Sequence, residues 1–234
     1  MISITATDHD SRVEPAVDCP IPDDVATYRA AHRAAHIGPN YRGWLHFATT
    51  NLGALLAIGI AVWRVDAPRA IELAMIPVFF LFANLVEYLG HRGPMHHRRP
   101  GLSLIFERHT LQHHAFFTHE AMEAESPRDF QMVLFPPLML VFFLGAVGPI
   151  AALLAAVSTA NLGWLFVATG VGYFLTYEWL HWAYHQPASS WIGRRAPIAR
   201  LRRHHEAHHD PRQMTRVNFN INFPIGDWLF RTLR

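Results

Sequence analysis

Apolar and polar positions in this chain are segregated into long blocks rather than interleaved at the period of a soluble helix or strand. Four blocks, near 44 to 63, 70 to 90, 130 to 147 and 162 to 182, approach the ~20 apolar residues that carry a helix across ~30 Å of hydrocarbon. Between and after them run wet segments, 91 to 128 and 183 to 216, crowded with arginine and histidine. Residues 149 to 160 (PIAALLAAVSTA) are also apolar, but a twelve-residue stretch opening on Gly148-Pro149 is short for a crossing, so it is expected to join the turn between spans three and four. The first 27 residues carry Asp8, Asp10, Glu14, Asp18, Asp23 and Asp24 with scattered prolines, and they lack the basic start and apolar stretch of a cleaved signal peptide. They read as a mobile tail. Residues 28 to 40 suit a short interfacial helix ended by Gly38-Pro39. Residues 1–43 therefore precede a membrane-embedded domain over 44–234.

Charge gives this layout a direction. All twenty basic residues are arginines, and eighteen fall in segments that share one side of the membrane, with only Arg64 and Arg69 opposite. The positive-inside rule places both termini and the central loop in the cytoplasm. The expected architecture is an all-α integral membrane protein, with four transmembrane helices in two hairpins and a cytoplasmic histidine-rich helical cap. The arginines flank apolar segments instead of forming one stripe, which points to membrane orientation and away from nucleic acid. With 51% apolar and 16% charged residues, a disordered chain is excluded. A lone Cys19 leaves no internal disulfide and no thiolate metal site.

Histidine is the residue out of proportion: there are seventeen, and the thirteen from His91 onward fall into four clusters. These are His91 with His96 and His97, His109 with His113, His114 and His119, His181 with His185, and His204-His205 with His208-His209. Spacings of three and four put two imidazoles on one helix face. A single such pair is usually a solvated face, and His32/His36 on the amphipathic segment is read that way. Four clusters on one membrane face are different, because metal binding offsets the crowding of ten or more imidazoles. For the clusters to meet, an even number of crossings must separate His119 from His181, and two spans satisfy that. Imidazole suits iron, zinc or copper, whereas few carboxylates stand among the histidines to favour magnesium or calcium. Ten histidines are too many for one ion, so two are implied.

In order, His91/His96, His113/His114, His181/His185 and His205/His208/His209 resemble the boxes of the fatty acid hydroxylase and sterol desaturase superfamily, integral-membrane histidine-box di-iron oxygenases. The resemblance spans roughly residues 84 to 232 and includes the tail Asn218-Phe219-Asn220-Ile221-Asn222-Phe223-Pro224 through Thr232. Two departures stand out. Arg231 replaces a frequent glycine, and the second box, His109-x3-His113-His114, is one residue longer than usual and similar to that of the alkane monooxygenases. The resemblance implies metal ligation by His91, His96, His109, His113, His114, His181, His185, His205, His208 and His209, with His97, His119 and His204 in reserve. Glu87, Glu107, Glu178 and Asp210 are candidates to hold the far ring nitrogens.

The implied activity is hydroxylation of an unactivated C–H bond of a lipid, a fatty acyl chain or a sterol- or isoprenoid-like substrate, by two iron ions and O2. Zinc can occupy such a site as purified. Desaturation is the alternative outcome within the family. Electrons must come from a separate reductase or small electron carrier, because the sequence has neither a GxGxxG fingerprint nor a fused haem domain. Phe116, Phe117 and Phe174 are read first as core or lipid-facing aromatics. Two rivals of another class are a zinc metalloprotease using His205-Glu206-x-x-His209 and a metal transport or storage protein.

Overall fold

The computed structural model describes residues 24–234, so most of the tail expected over residues 1–27 lies outside the described residues. Helix α1, Val25–His36, starts where the Asp24 carboxylate accepts hydrogen bonds from Ala26 N and Thr27 N. It stands close to the helix expected over 28 to 40 and stops before Gly38-Pro39. Its inner face docks on protein: Arg29 Nε donates to Phe116 O at 2.7 Å and His32 packs against the Phe116 ring.

Five further long helices follow: α2 Gly43–Trp63, α3 Ile76–Gly90, α4 Leu138–Val157, α5 Ala160–Tyr184 and α6 Ala196–His208. Among the described residues there is no strand. Three helical stretches are long and apolar enough to cross a membrane, Gly43–Trp63, Ala70–Met95 and Pro127–Val157. They contain α2, α3 and α4. The fourth expected span corresponds to α5, which has 25 residues but is less apolar. Its position explains this, because α5 packs against α2, α3 and α4 and buries Leu165, Phe166, Val171 and Phe174. The outer helices carry the exposed large apolar side chains, such as Leu52, Leu56, Val78, Leu81, Val141 and Phe142. A helix wrapped by protein can carry Asn161, Tyr173 and Glu178 that a lipid-facing helix would pay heavily to expose.

The third apolar block differs from expectation. Residues 130–133 form a separate short turn of helix, and α4 runs on through Pro149 to Val157, so the segment expected as a turn is helical. In an apolar environment a helix is the only local way to satisfy the backbone, and a proline is tolerated there. The residue four back, whose carbonyl the ring of Pro149 crowds, is Gly145. The turn to α5 is confined to Ser158 and Thr159. At Gly163 an added Cβ would lie 2.6 Å from Ala151 O, so α4 and α5 approach as closely as only glycine permits.

The α2–α3 and α4–α5 connections meet. Thr159 Oγ1 donates to Glu72 at 2.5 Å, and Asn161 exchanges hydrogen bonds with the Asp66 backbone. Both therefore lie at one end of the bundle, and the histidine segments follow from the other ends of α3 and α5.

Candidate metal centre

Two π-helical turns shape the histidine region. The first, His91–Met95, continues α3 and contains Pro94, which has no N–H to donate to Gly90 and so relaxes the α-helical ladder into a wider turn. Widening brings residues five apart into register, and the His91 and His96 rings stack at 5.0 Å. The second, Glu107–His113, holds the longer second box. There His109 lies 5.3 Å from His113, stacked, and 4.8 Å from His114, edge to face. The additional residue in the sequence is thus absorbed by a wider turn, which brings His109 and His114, five residues apart, into one group and leaves His113 to the other.

All ten histidines named above are buried. Ring nitrogens of His91, His96, His109, His114 and His208 lie within 4.8 Å of one another, and so do those of His113, His181, His185 and His205. His209 stands between the groups: its Nε2 is 3.0 Å from His205 Nε2, and its ring stacks on His114 at 4.2 Å. The box on α6 therefore serves both groups, His208 one and His205 the other.

The proton positions decide what these groups can hold. Six rings have Nδ1 facing a hydrogen-bond acceptor, so each donates Nδ1–H and keeps a lone pair on Nε2. His91 donates to Phe219 O at 2.5 Å, His113 to Met132 O at 2.8 Å, His185 to Met122 O at 2.8 Å, His208 to Val217 O at 2.9 Å and His209 to Phe117 O at 2.5 Å. His96 donates to Thr110 Oγ1 at 3.2 Å, because that hydroxyl is itself donated to Met95 O at 2.6 Å. The consequence is direct: His96 Nε2 and His208 Nε2 sit 2.9 Å apart as two lone pairs with no proton between them. Such a contact is repulsive unless a cation lies between or beside the nitrogens, so the donor set fits a metal.

Burial works in the same direction. It pushes His113 down to about 4 and holds His96, His109, His114, His205, His208 and His209 well below the usual imidazole range, with neighbouring imidazoles adding to the effect. Neutral rings are what ligation requires.

The fatty acid hydroxylase profile matches residues 76–232, well over half of the chain. The chain belongs to the fatty acid hydroxylase family. It is thus an oxidoreductase family member with apolar helices of membrane-spanning length and buried histidine groups able to bind metal. The fold is also similar to a solved structure described as full-length Scs7p with only the hydroxylase domain visible, at a TM-score of 0.58 and 18% identity, covering 82% of this chain and 67% of that one. No curated protein matches by sequence.

The family's C-terminal signature gains a physical role here. Asp227 accepts hydrogen bonds from Phe219 N, Asn220 N and Thr232 Oγ1 at 2.7 to 2.8 Å. Glu87 receives Ile221 N at 2.5 Å and Asn222 N at 3.1 Å, tying the same loop to α3. The loop so held presents Phe219 O and Val217 O to His91 and His208.

The reserve histidines lie elsewhere. His97 and His119 are exposed, and His204 Nε2 turns away to Asn220 O at 3.2 Å. None of the four carboxylates expected to hold ring nitrogens does so. Glu87 holds the loop, Glu107 pairs with Arg98 at 2.7 Å, Glu178 accepts from Phe135 N at 3.3 Å and Asp210 binds Arg212 at 2.8 Å. Main-chain carbonyls and Thr110 take that task. Phe116 and Phe117 belong to the core around Trp182, and Phe174 packs on Phe135 and Phe143.

Proposed function

We propose that this protein hydroxylates an unactivated C–H bond of a membrane lipid, an acyl chain or a sterol- or isoprenoid-like molecule, using two iron ions, O2 and an external electron donor. One observation carries the reading: imidazoles whose Nδ1–H is tied to oxygen aim bare Nε2 lone pairs at one another in two adjacent buried groups. When bound, redox-active iron supplies the oxidising power to break an alkyl C–H bond, which no side-chain acid or nucleophile can do. His91, His96, His109, His114 and His208 hold one ion, and His113, His181, His185 and His205 the other, with His209 completing the set between them. The carbonyls of Phe219, Met132, Met122, Val217 and Phe117, with Thr110, fix ring orientation, and the surrounding aromatic core keeps water out.

In this reading α2, α3, α4 and α5 cross the bilayer as two hairpins, with both termini and the histidine cap in the cytoplasm. The lipid enters from the membrane with its polar head at that interface. A separate reductase or small carrier delivers electrons, and the cap arginines suit an acidic docking face. Desaturation differs only in a second hydrogen abstraction, so product analysis separates the two. The protease alternative lacks support at its base: Glu206 is bound to Arg202 at 3.1 Å along α6.

The test is elemental mass spectrometry of detergent-purified protein, followed by incubation with lipids, O2 and a reductase. Expected are about two iron ions per chain and an oxygenated lipid. One zinc with peptide cleavage, or a folded chain that takes up no added iron, overturns the proposal.

A further inference from the structure

Beside the first two turns of α2 lies a cavity of about 430 Å³, whose wall includes Tyr41, Arg42, Leu45, His46, Arg108 and Gln131. Its polar wall is partly fixed. Tyr41 Oη donates to His46 Nδ1 at 2.7 Å, and His46 Nε2–H donates to Phe135 O at 2.9 Å, so this imidazole is neutral and fully engaged. Arg108 is different. Its Nη2 donates to Gln131 O at 2.7 Å, and among the described residues its other N–H groups have no hydrogen-bond partner and no carboxylate at ion-pairing distance. Glu178 is the acidic group whose field reaches it, but that carboxylate accepts from Phe135 N. Arg42, on the rim, is exposed and likewise without an acidic partner among the described residues. The wall also contains Gln131 Oε1, a buried acceptor with no donor.

Two cations with no carboxylate at ion-pairing distance thus face a cavity that opens beside Leu45 and Pro137, onto the exposed apolar flank of α2 and α4. We propose that this cavity binds the anionic head group, carboxylate or phosphate, of a bilayer lipid, with Arg108 and Arg42 holding the head and the acyl chain lying along Leu45 and Pro137. A guanidinium fork matches either oxyanion, and a hydroxyl beside it, such as those of a glycerol head, can donate to Gln131 Oε1. Arg108 precedes His109, so the site adjoins the histidine groups, but head-group binding requires only that α2 enters the membrane and calls on no metal.

The experiment is thermal unfolding of the detergent-purified full chain with added phosphatidylglycerol, phosphatidylcholine or inorganic phosphate, on wild type, Arg108→Gln, Arg42→Gln and the exposed control Arg200→Gln. Phosphatidylglycerol is expected to raise the midpoint of wild type and Arg200→Gln while phosphatidylcholine and phosphate leave it unchanged, with binding to Arg108→Gln about tenfold weaker. Arg42→Gln, an exposed position, carries the same test with a smaller loss if Arg108→Gln does not fold. Equal stabilisation of wild type and both cavity variants, equal loss in Arg200→Gln, or an effect of phosphate alone as large as that of the lipid overturns the proposal.

Discussion

Thr110 lies in the longer second box, and its hydroxyl organises a neighbouring ring. It donates to Met95 O at 2.6 Å and accepts from His96 Nδ1 at 3.2 Å, in a position with no solvent exposure. Thr110→Val keeps the shape and removes both bonds. Two buried polar groups then lose a partner, each at roughly 1–3 kcal/mol, so the folded state is expected to lose about 2–6 kcal/mol. The effect on metal is separate: His96 is freed to move its proton to Nε2, which removes the lone pair aimed at His208 Nε2. Loss of such a supporting bond lowers metal affinity about 10- to 100-fold. Thr110→Ser retains the hydroxyl and is expected to restore both properties. The assay is iron per chain after dialysis against a graded chelator, with the unfolding midpoint measured on the same samples. A valine variant that holds iron like wild type, or a serine variant as defective as valine, refutes the tautomer argument.

Acid should act through the same rings. The buried His113 titrates at about 4, against about 6.5 in the unfolded chain, so as pH falls the unfolded state takes the proton first. Stability of the metal-free protein is then expected to be level above about pH 6.5 and to fall as pH drops towards 4, by roughly 3 kcal/mol for this residue alone. A denaturation midpoint that stays flat to pH 4.5 contradicts the buried neutral assignment. Arg231 has φ 58°, a left-handed conformation that glycine adopts freely. Arg231→Gly should raise the melting temperature by about 1–3 °C, the strain relieved being partly offset by the looser unfolded chain, and a lowered melting temperature refutes this. Glu206→Gln breaks only a contact to Arg202 at 3.1 Å, so metal content and lipid oxidation should survive it. Loss of all activity in that variant, with iron retained, would return Glu206 to the chemistry.

What the sequence revealed and what it hid divide along a physical line. His181/His185 and His205/His209 are four apart on α-helices, so their shared faces follow from helical periodicity alone. The apolar blocks were equally legible as helices, because length and hydropathy report the solvent a segment faces. The end of α4 was not: Pro149 is a stop signal in water, and in an apolar medium the backbone has no better alternative than to continue. Nor was the central position of α5, whose Asn161, Tyr173 and Glu178 dilute its hydropathy for a reason that only packing discloses.

The supporting partners were the least legible. Carboxylates were expected because side chains can be read from a sequence, but the structure uses the carbonyls of Phe219, Met132, Met122, Val217 and Phe117, which any residue would supply. Placing such carbonyls requires rigid backbone, and this is what the polar C-terminal signature provides, with Asp227 and Glu87 binding the amides of a short loop. A neutral carbonyl orients a ring without adding charge beside the cluster, whereas a carboxylate at each of ten imidazoles would surround the centre with buried anions. The longer second box follows the same logic. An α-helical turn would align His109 with His113, four residues on, whereas the π turn at Glu107–His113 brings His109 beside His114, five residues on, so that these two join one group and His113 serves the other. The additional residue in that box is therefore the spacing needed to build two adjoining groups from one helical segment.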